Sequence, residues 1–324
     1  MPSKGLYLRK AMMKINRKVL GIIGIIIFVI ILSRLDLKEV YHIIRSIDPT
    51  WIAALVVMRI LYIIIRSYAW QYILRLMRIR YPLSRCFLVY CAGQFVGQVT
   101  PGRLGDLVRV VYLKKDGYNL IRPLITVLLD RISDITFVLL ASYLSMYIFI
   151  DYFFEEIIWI SLLIFISIII IILALLNGRL VKRLVYTTLD LITPKRYRHV
   201  LRSNISELFK EMKRIKFSRL IAFFMMITTA WLFYFFQMYI LVIAMDIPIN
   251  FWYTVVIISV TGMVVLLPIS VSGIGTRDLS FIFLLGLMGV SRELALSYSL
   301  MALVFNLVPA VIGFIFWTKN PGQY

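Results

Sequence analysis

Six runs of about twenty apolar residues shape the chain: Val19 to Leu35, Trp51 to Leu74, Leu124 to Ile150, Ile157 to Leu176, Leu220 to Met245 and Ala295 to Trp317. At about 1.5 Å per helical residue, such a run crosses a hydrocarbon core about 30 Å thick. Composition points the same way: 61% of the 324 residues are hydrophobic and 16% are charged, against about 45–50% and about 25% in soluble domains. The expected fold is an all-α polytopic membrane protein, a single integral membrane domain over residues 1–324. The first run follows six basic residues, as a signal peptide would, but no small-residue cleavage site comes after it, so it reads as a span.

The formal net charge of +20 follows the loops between the runs. Lys4, Arg9, Lys10, Lys14, Arg17 and Lys18 precede the first run. Arg75, Arg78, Arg80 and Arg85 follow the second, and residues 178–219 hold twelve basic groups against three acidic ones. Asp151, Glu155 and Glu156 lie after the third run and Asp246 after the fifth. Lys and Arg concentrate in cytoplasmic loops, so the pattern predicts a multi-pass protein of the cell membrane with both termini in the cytoplasm. Nucleic acid is not the implied partner. The "NGRLVKRLVY" and "NISELFKEMKRIKF" stretches within 178–219 alternate apolar and basic positions at helical intervals, as helices lying on an anionic leaflet do.

This topology leaves two apolar regions, residues 86–113 and 251–290, with no crossing to make. Basic loops flank the first on both sides, so it enters from the cytoplasm and returns. The second has to enter from outside and return if the last run ends in the cytoplasm. Each reads as a re-entrant hairpin, whose broken backbone is tolerable at membrane depth only when buried in protein or facing water.

The hairpins share a vocabulary. "TPGRLGDLVR" (100–109) holds Pro101, Gly102, Arg103, Gly105, Asp106 and Arg109. "LPISVSGIGTRDLS" (267–280) holds Pro268, Gly273, Gly275, Arg277 and Asp278. A run precedes and follows each, giving a first unit at about 51–150 and a second at about 220–317 that begin on opposite sides of the membrane. That is an inverted-topology repeat, the plan in which many transporters hold substrate between broken helices. Pro removes a backbone donor and Gly admits unusual dihedrals, so a helix stops and restarts with free amides at its new N-terminus. Such amides attract anions, and Arg103, Arg109 and Arg277 add planar donors suited to phosphate. Asp106 and Asp278 orient those arginines or carry protons.

Further charges lie inside the runs. Arg59 and Arg66, seven residues apart, fall on one face of a helix, and Asp130 and Asp134 share another face, with Arg131 beside them. The aspartates are natural partners for the arginines, as a structural network or as part of a pathway for substrate or protons. Gln94, Gln98, Gln237 and Asn306 read as interhelical hydrogen-bonding groups, and most aromatic residues as lipid-facing or belt residues. Cys86 and Cys91 have neither disulfide nor CxxC spacing, and His42 and His199 sit in separate loops without metal-ligand spacing. Neither metal nor cofactor is implied. No phosphate-binding GxxxxGK[ST] loop, Rossmann fingerprint or GxSxG elbow is present.

The sequences at 100–109, "VLLDRISDITF" at 127–137 and "LPISVSGIGTRDLSF" at 267–281 together resemble the flippase-like family related to the membrane region of lysylphosphatidylglycerol synthases, in a stand-alone form without the soluble aminoacyltransferase domain. Family members usually carry Glu where this chain has Asp106, Asp130 and Asp278, and a basic residue often found in the last span is absent from 299–313. The resemblance implies a flippase or scramblase for a lipid with an anionic headgroup, a phospholipid or a polyprenyl-phosphate-linked sugar, working alone, as a homo-oligomer or beside a lipid- or glycan-pathway enzyme. Headgroup contact then falls to Arg103, Asp106, Arg109, Arg277 and Asp278, with Arg59, Arg66, Asp130, Arg131 and Asp134 supporting. The rival readings are an intramembrane transferase using Asp106 or Asp278 as base, and a non-transporting membrane partner protein.

Overall fold

The computed structural model describes residues 28–100, 105–148, 215–266 and 273–319, with 159, 162–163, 166, 206, 210–212 and 270. Most of the first run and of Ile157 to Leu176, the acidic loop residues Asp151, Glu155 and Glu156, most of the 178–219 loop with His199, and the tip residues Pro101, Gly102, Arg103 and Pro268 lie outside these.

The described residues are helical, with no strand among them. After a helical stretch at 28–33 come α1 (Leu37–Ser46), α2 (Pro49–Leu76), α3 (Leu83–Val99), α4 (Val108–Lys115) and α5 (Ile121–Ile148). Then follow α6 (Phe217–Ala244), α7 (Phe251–Leu266), α8 (Thr276–Leu287) and α9 (Arg292–Lys319). α2, α6 and α9 are long and apolar enough to cross a membrane. α5 is equally long, at 28 residues, but carries Asp130, Arg131 and Asp134 in its interior.

α1 corrects the sequence reading that His42 sits in a loop. Asp36 starts the helix by accepting the Lys38 amide at 2.8 Å. Val40 is its buried residue, packed with Ile31 and Leu296, while Lys38, Glu39 and His42 are exposed. α2 begins just as locally. The Asp48 carboxylate accepts the Thr50 amide at 2.7 Å, and Pro49 occupies a first-turn position that lacks a hydrogen-bond partner anyway.

The two units match in plan. Helices α2 to α5 have 28, 17, 8 and 28 residues, and α6 to α9 have 28, 16, 12 and 28. Packing matches too: α2 lies on α6, α3 on α9 as α7 on α5, α2 on α9 as α6 on α5. Within units, α2–α3, α3–α4, α4–α5 and α2–α5 repeat as α6–α7, α7–α8, α8–α9 and α6–α9.

Two apolar cores give the direction. One joins Leu55 near the start of α2 to Leu241 and Val242 near the end of α6, with Met146 from the end of α5 and Ala295 from the start of α9. The other joins Ile73 and Leu74 at the end of α2 to Phe223 and Ile227 at the start of α6, with Ile125 early in α5 and Trp317 late in α9. Corresponding helices therefore run antiparallel, and the repeat is inverted. The second core lies at the basic end, where helix termini and connections carry Arg75, Arg78, Arg80, Arg85, Lys114, Lys115, Arg122, Lys216, Arg219 and Lys319.

Glycine lets these helices touch. A Cβ built on Gly313 of α9 would fall 2.0 Å from the Cys91 carbonyl oxygen of α3, and one on Gly105 would fall 1.9 Å from the Gly97 amide nitrogen. Close backbone approach of this kind is how packing holds helices together where lipid offers no hydrophobic drive. Cys86 and Cys91, both buried, are free thiols.

Candidate functional site

The hairpins differ in how they turn. At the second, Gly273 and Gly275 have φ of +76° and +84°, a region costly for residues with a Cβ. α8 restarts at Thr276, whose carbonyl accepts the Ser280 hydroxyl at 2.8 Å, and Asp278 reaches back so that its Oδ2 accepts the Gly275 amide at 2.8 Å. The free N-terminal amide expected to attract an exogenous anion here is thus bonded to the chain's own carboxylate. Gly105, in the first hairpin, serves close approach instead: it lies against the α3 backbone at Val96 and Gly97.

Around the first hairpin, three arginines and three aspartates among the described residues form one lattice. Arg66 donates from Nη2 to Asp130 Oδ1 at 3.1 Å and from Nη1 to Asp134 Oδ1 at 2.9 Å. Arg109 donates from Nη1 to Asp130 Oδ2 at 2.8 Å and from Nη2 to Asp106 Oδ1 at 2.9 Å. Arg131 Nε lies 2.9 Å from Asp106 Oδ2, and its Nη2 lies 3.5 Å from Asp134 Oδ2. Tyr90 OH accepts from Arg66 Nε at 2.9 Å, and Trp231 Nε1 donates to Asp134 at 2.8 Å. Arg109 also lies over the rings of Tyr90 and Trp70.

Burial decides what this lattice does. Arg66, Arg109 and Asp130 are 1%, 0% and 0% exposed, and an unpaired ion at such depth carries a penalty of several kcal/mol. Equal numbers of each sign remove it and tie α2, α4 and α5 together. Arg109 and Asp106, expected at a headgroup, are members of this lattice. Asp106 also reaches the cavity; Arg109 does not border it.

The second unit holds a smaller cluster. Arg277 donates from Nη2 to Asp278 Oδ1 at 2.7 Å and from Nε to Ser299 Oγ at 3.1 Å, and Ser299 donates to Asp278 Oδ1 at 2.5 Å. In unit one the long helix after the hairpin contributes a carboxylate, Asp130; here it contributes the hydroxyl of Ser299.

Between the units lies a cavity of about 140 Å³. Its walls come from α2 (Arg59, Tyr62, Arg66), α3 (Tyr90, Gly93, Gln94, Gly97, Gln98), the turn before α4 (Asp106) and α5 (Arg131, Asp134). Unit two supplies Trp231 and Tyr234 from α6, Ile258, Thr261, Gly262 and Val265 from α7, Arg277 and Phe281 from α8, and Leu303 and Asn306 from α9. Gln94, Gln98 and Asn306 therefore face this space. Gln237 does not: it donates from Nε2 to the Leu55 carbonyl at 3.1 Å, bridging α6 to α2. Tyr62, Tyr90, Trp231 and Tyr234, read from sequence with the lipid-facing and belt aromatics, are cavity residues. Their sequence signal was helical spacing: Arg59, Tyr62 and Arg66 lie three and four residues apart, and Trp231 and Tyr234 three apart.

Arg59 stands apart from the carboxylates it was expected to meet. Its guanidinium carbon lies 4.8 Å from the centre of the Tyr62 ring and 5.6 Å from that of Tyr234. The residue is 5% exposed and its Nε is buried without a hydrogen-bond partner. Insertion scales put an arginine at the centre of a membrane helix at roughly 2.5–3.5 kcal/mol, a cost that no acidic neighbour among the described residues offsets.

A family model described as the lysylphosphatidylglycerol synthase TM region matches residues 18–313. No curated protein matches the chain significantly.

Proposed function

The chain belongs to the family of the lysylphosphatidylglycerol synthase TM region, membrane proteins linked to lipid handling, and from that premise we propose that it moves a lipid with an anionic headgroup between leaflets. The observation that carries this reading is the position of the cavity at the seam of two inverted units, with polar groups from both hairpins in its wall. Transporters built on inverted repeats hold substrate at that seam and expose it to either side by rocking one unit against the other. Here the headgroup enters between the hairpins while its chains stay in the bilayer. Arg277 and Arg59 supply positive charge at the cavity wall, and the lattice of Arg66, Arg109 and Arg131 with its three aspartates keeps the first hairpin in place.

The basic end faces the cytoplasm of the cell membrane in this reading, following the positive-inside rule, so the first hairpin enters from that side. Full-length protein reconstituted into vesicles is expected to accelerate leaflet exchange of a fluorescent anionic phospholipid or a polyprenyl phosphate above the protein-free rate. Folded protein that exchanges neither at more than the protein-free rate would overturn the proposal.

A further inference from the structure

The inverted repeat makes two helix crossings equivalent. Cys91 of α3 and Ser259 of α7 are each the ninth residue of their helix, and Gly313 of α9 and Ser142 of α5 are each the twenty-second. At both places a helix of one unit crosses a helix of the other, the twenty-second residue against the carbonyl of the ninth. A Cβ on Gly313 would fall 2.0 Å from the Cys91 oxygen, and Ser142 Oγ donates to the Ser259 oxygen at 2.6 Å. The positions match and the chemistry differs.

At α3–α9 main chain meets main chain, the close packing that holds helices together in lipid. Rings continue the contact towards the basic end: the centres of Phe95 and Phe314 are 5.2 Å apart, and those of Tyr112 in α4 and Phe316 are 5.4 Å apart. At α5–α7 one hydroxyl makes the bond, and it has a second acceptor in its own helix, the Val138 carbonyl at 2.7 Å. A serine hydroxyl has a single proton to give. Turning that proton from Ser259 to Val138 frees α5 from α7 and orphans no buried donor, so the crossing can part without the penalty of an unsatisfied group. Nearby rings pair inside their own helix, Tyr143 with Tyr147 and Phe251 with Trp252. Gly262, three residues after Ser259 and packed on Val138, belongs to the cavity wall. We infer that the two crossings form one device: α3–α9 at Gly313 is a pivot that stays closed, and α5–α7 at Ser142 is a latch whose release opens the cavity at the end away from the basic loops. The inference rests on the reading of the cavity as a transport site between rocking units, and it names where the rocking turns.

The test reads motion and transport separately. Full-length protein in nanodiscs, with Cys86→Ala and Cys91→Ala, carries spin labels on cysteines at one of two pairs of exposed positions. The first pair is Tyr147 and Trp252, at the end of α5 and the start of α7, and the second is Ser84 and Thr318, at the start of α3 and the end of α9. Pulsed electron spin resonance is expected to give two distances at the first pair and one at the second. Ser142→Ala, which removes the latch hydroxyl, should raise the ratio of long to short distances at the first pair by about fivefold, the worth of one hydrogen bond, and leave the second pair unchanged. One distance at the first pair, an unchanged ratio, or widening at the second pair overturns the inference. A covalent lock supplies the transport readout. A Cβ on Gly262 would lie 3.2 Å from Val138 Cγ1, so Val138→Cys with Gly262→Cys comes within disulfide reach. Oxidation of that pair is expected to stop leaflet exchange of a fluorescent anionic phospholipid and dithiothreitol to restore it, with each single variant indifferent to both. Full exchange through the closed disulfide overturns the latch. Two distances at the first pair without leaflet exchange would refute transport alone. Exchange with a single fixed distance there would refute this inference alone.

Discussion

Asp130→Asn is expected to destabilise the protein by about 3–5 kcal/mol, the cost of removing one partner from a buried ion pair. Asp130 Oδ1 bonds Arg66 and Oδ2 bonds Arg109. All three residues are at most 1% exposed, so neither arginine has water to replace what the amide withdraws. The amide also presents an N–H₂ where one of the two guanidinium groups needs an acceptor. Thermal unfolding in detergent, followed by loss of the monodisperse peak, measures this. A change below about 1 kcal/mol would mean that the lattice is not what holds the first hairpin to α2 and α5. Asp130→Glu preserves the charge and is expected to cost less.

Gly313→Ala is the second large effect. The new methyl would meet Cys91 O at 2.0 Å and the Ala92 nitrogen at 2.8 Å. Both are backbone atoms of α3, so no side chain can swing aside and α9 has to move off α3. Overpacking of this kind costs about 1–3 kcal/mol and occasionally more, and the upper end is expected because a whole helix crossing has to open. Gly262→Ala is the internal control: its methyl meets only the Val138 side chain, at 3.2 and 4.0 Å, and should cost clearly less. Equal melting temperatures for the two variants would contradict the packing argument.

Much of the architecture was legible because a bilayer constrains sequence strongly. Apolar runs gave α2, α5, α6 and α9 within a few residues, and the two runs left without a crossing became the broken pairs α3–α4 and α7–α8. α1 escaped because ten residues with charges on their exposed side give little apolar signal; Asp36 and the contact with Leu296 define it. The partners of the buried arginines were only half legible. Arg59 and Arg66 share a helical face, but seven residues separate them by about 10.5 Å along the axis, whereas Asp130 and Asp134 are only about 6 Å apart along theirs. One arginine can span both aspartates, and Arg66 does. Arg59 is left opposite α6, where it meets Tyr234. The second tip was misjudged for a related reason: Asp278 lies three residues after Gly275, the spacing at which a side chain caps its own helix, so the amide there was never free.

The central claim is that the cavity between the inverted units receives an anionic headgroup. The most direct measurement is a density map of the full-length protein in nanodiscs containing a phosphoglycerol lipid. The account predicts a phosphate within hydrogen-bonding distance of the Arg59 guanidinium, its chains leaving between the hairpins into the bilayer. A well-resolved cavity without phosphate, with lipid density confined to the outer surface, would contradict it.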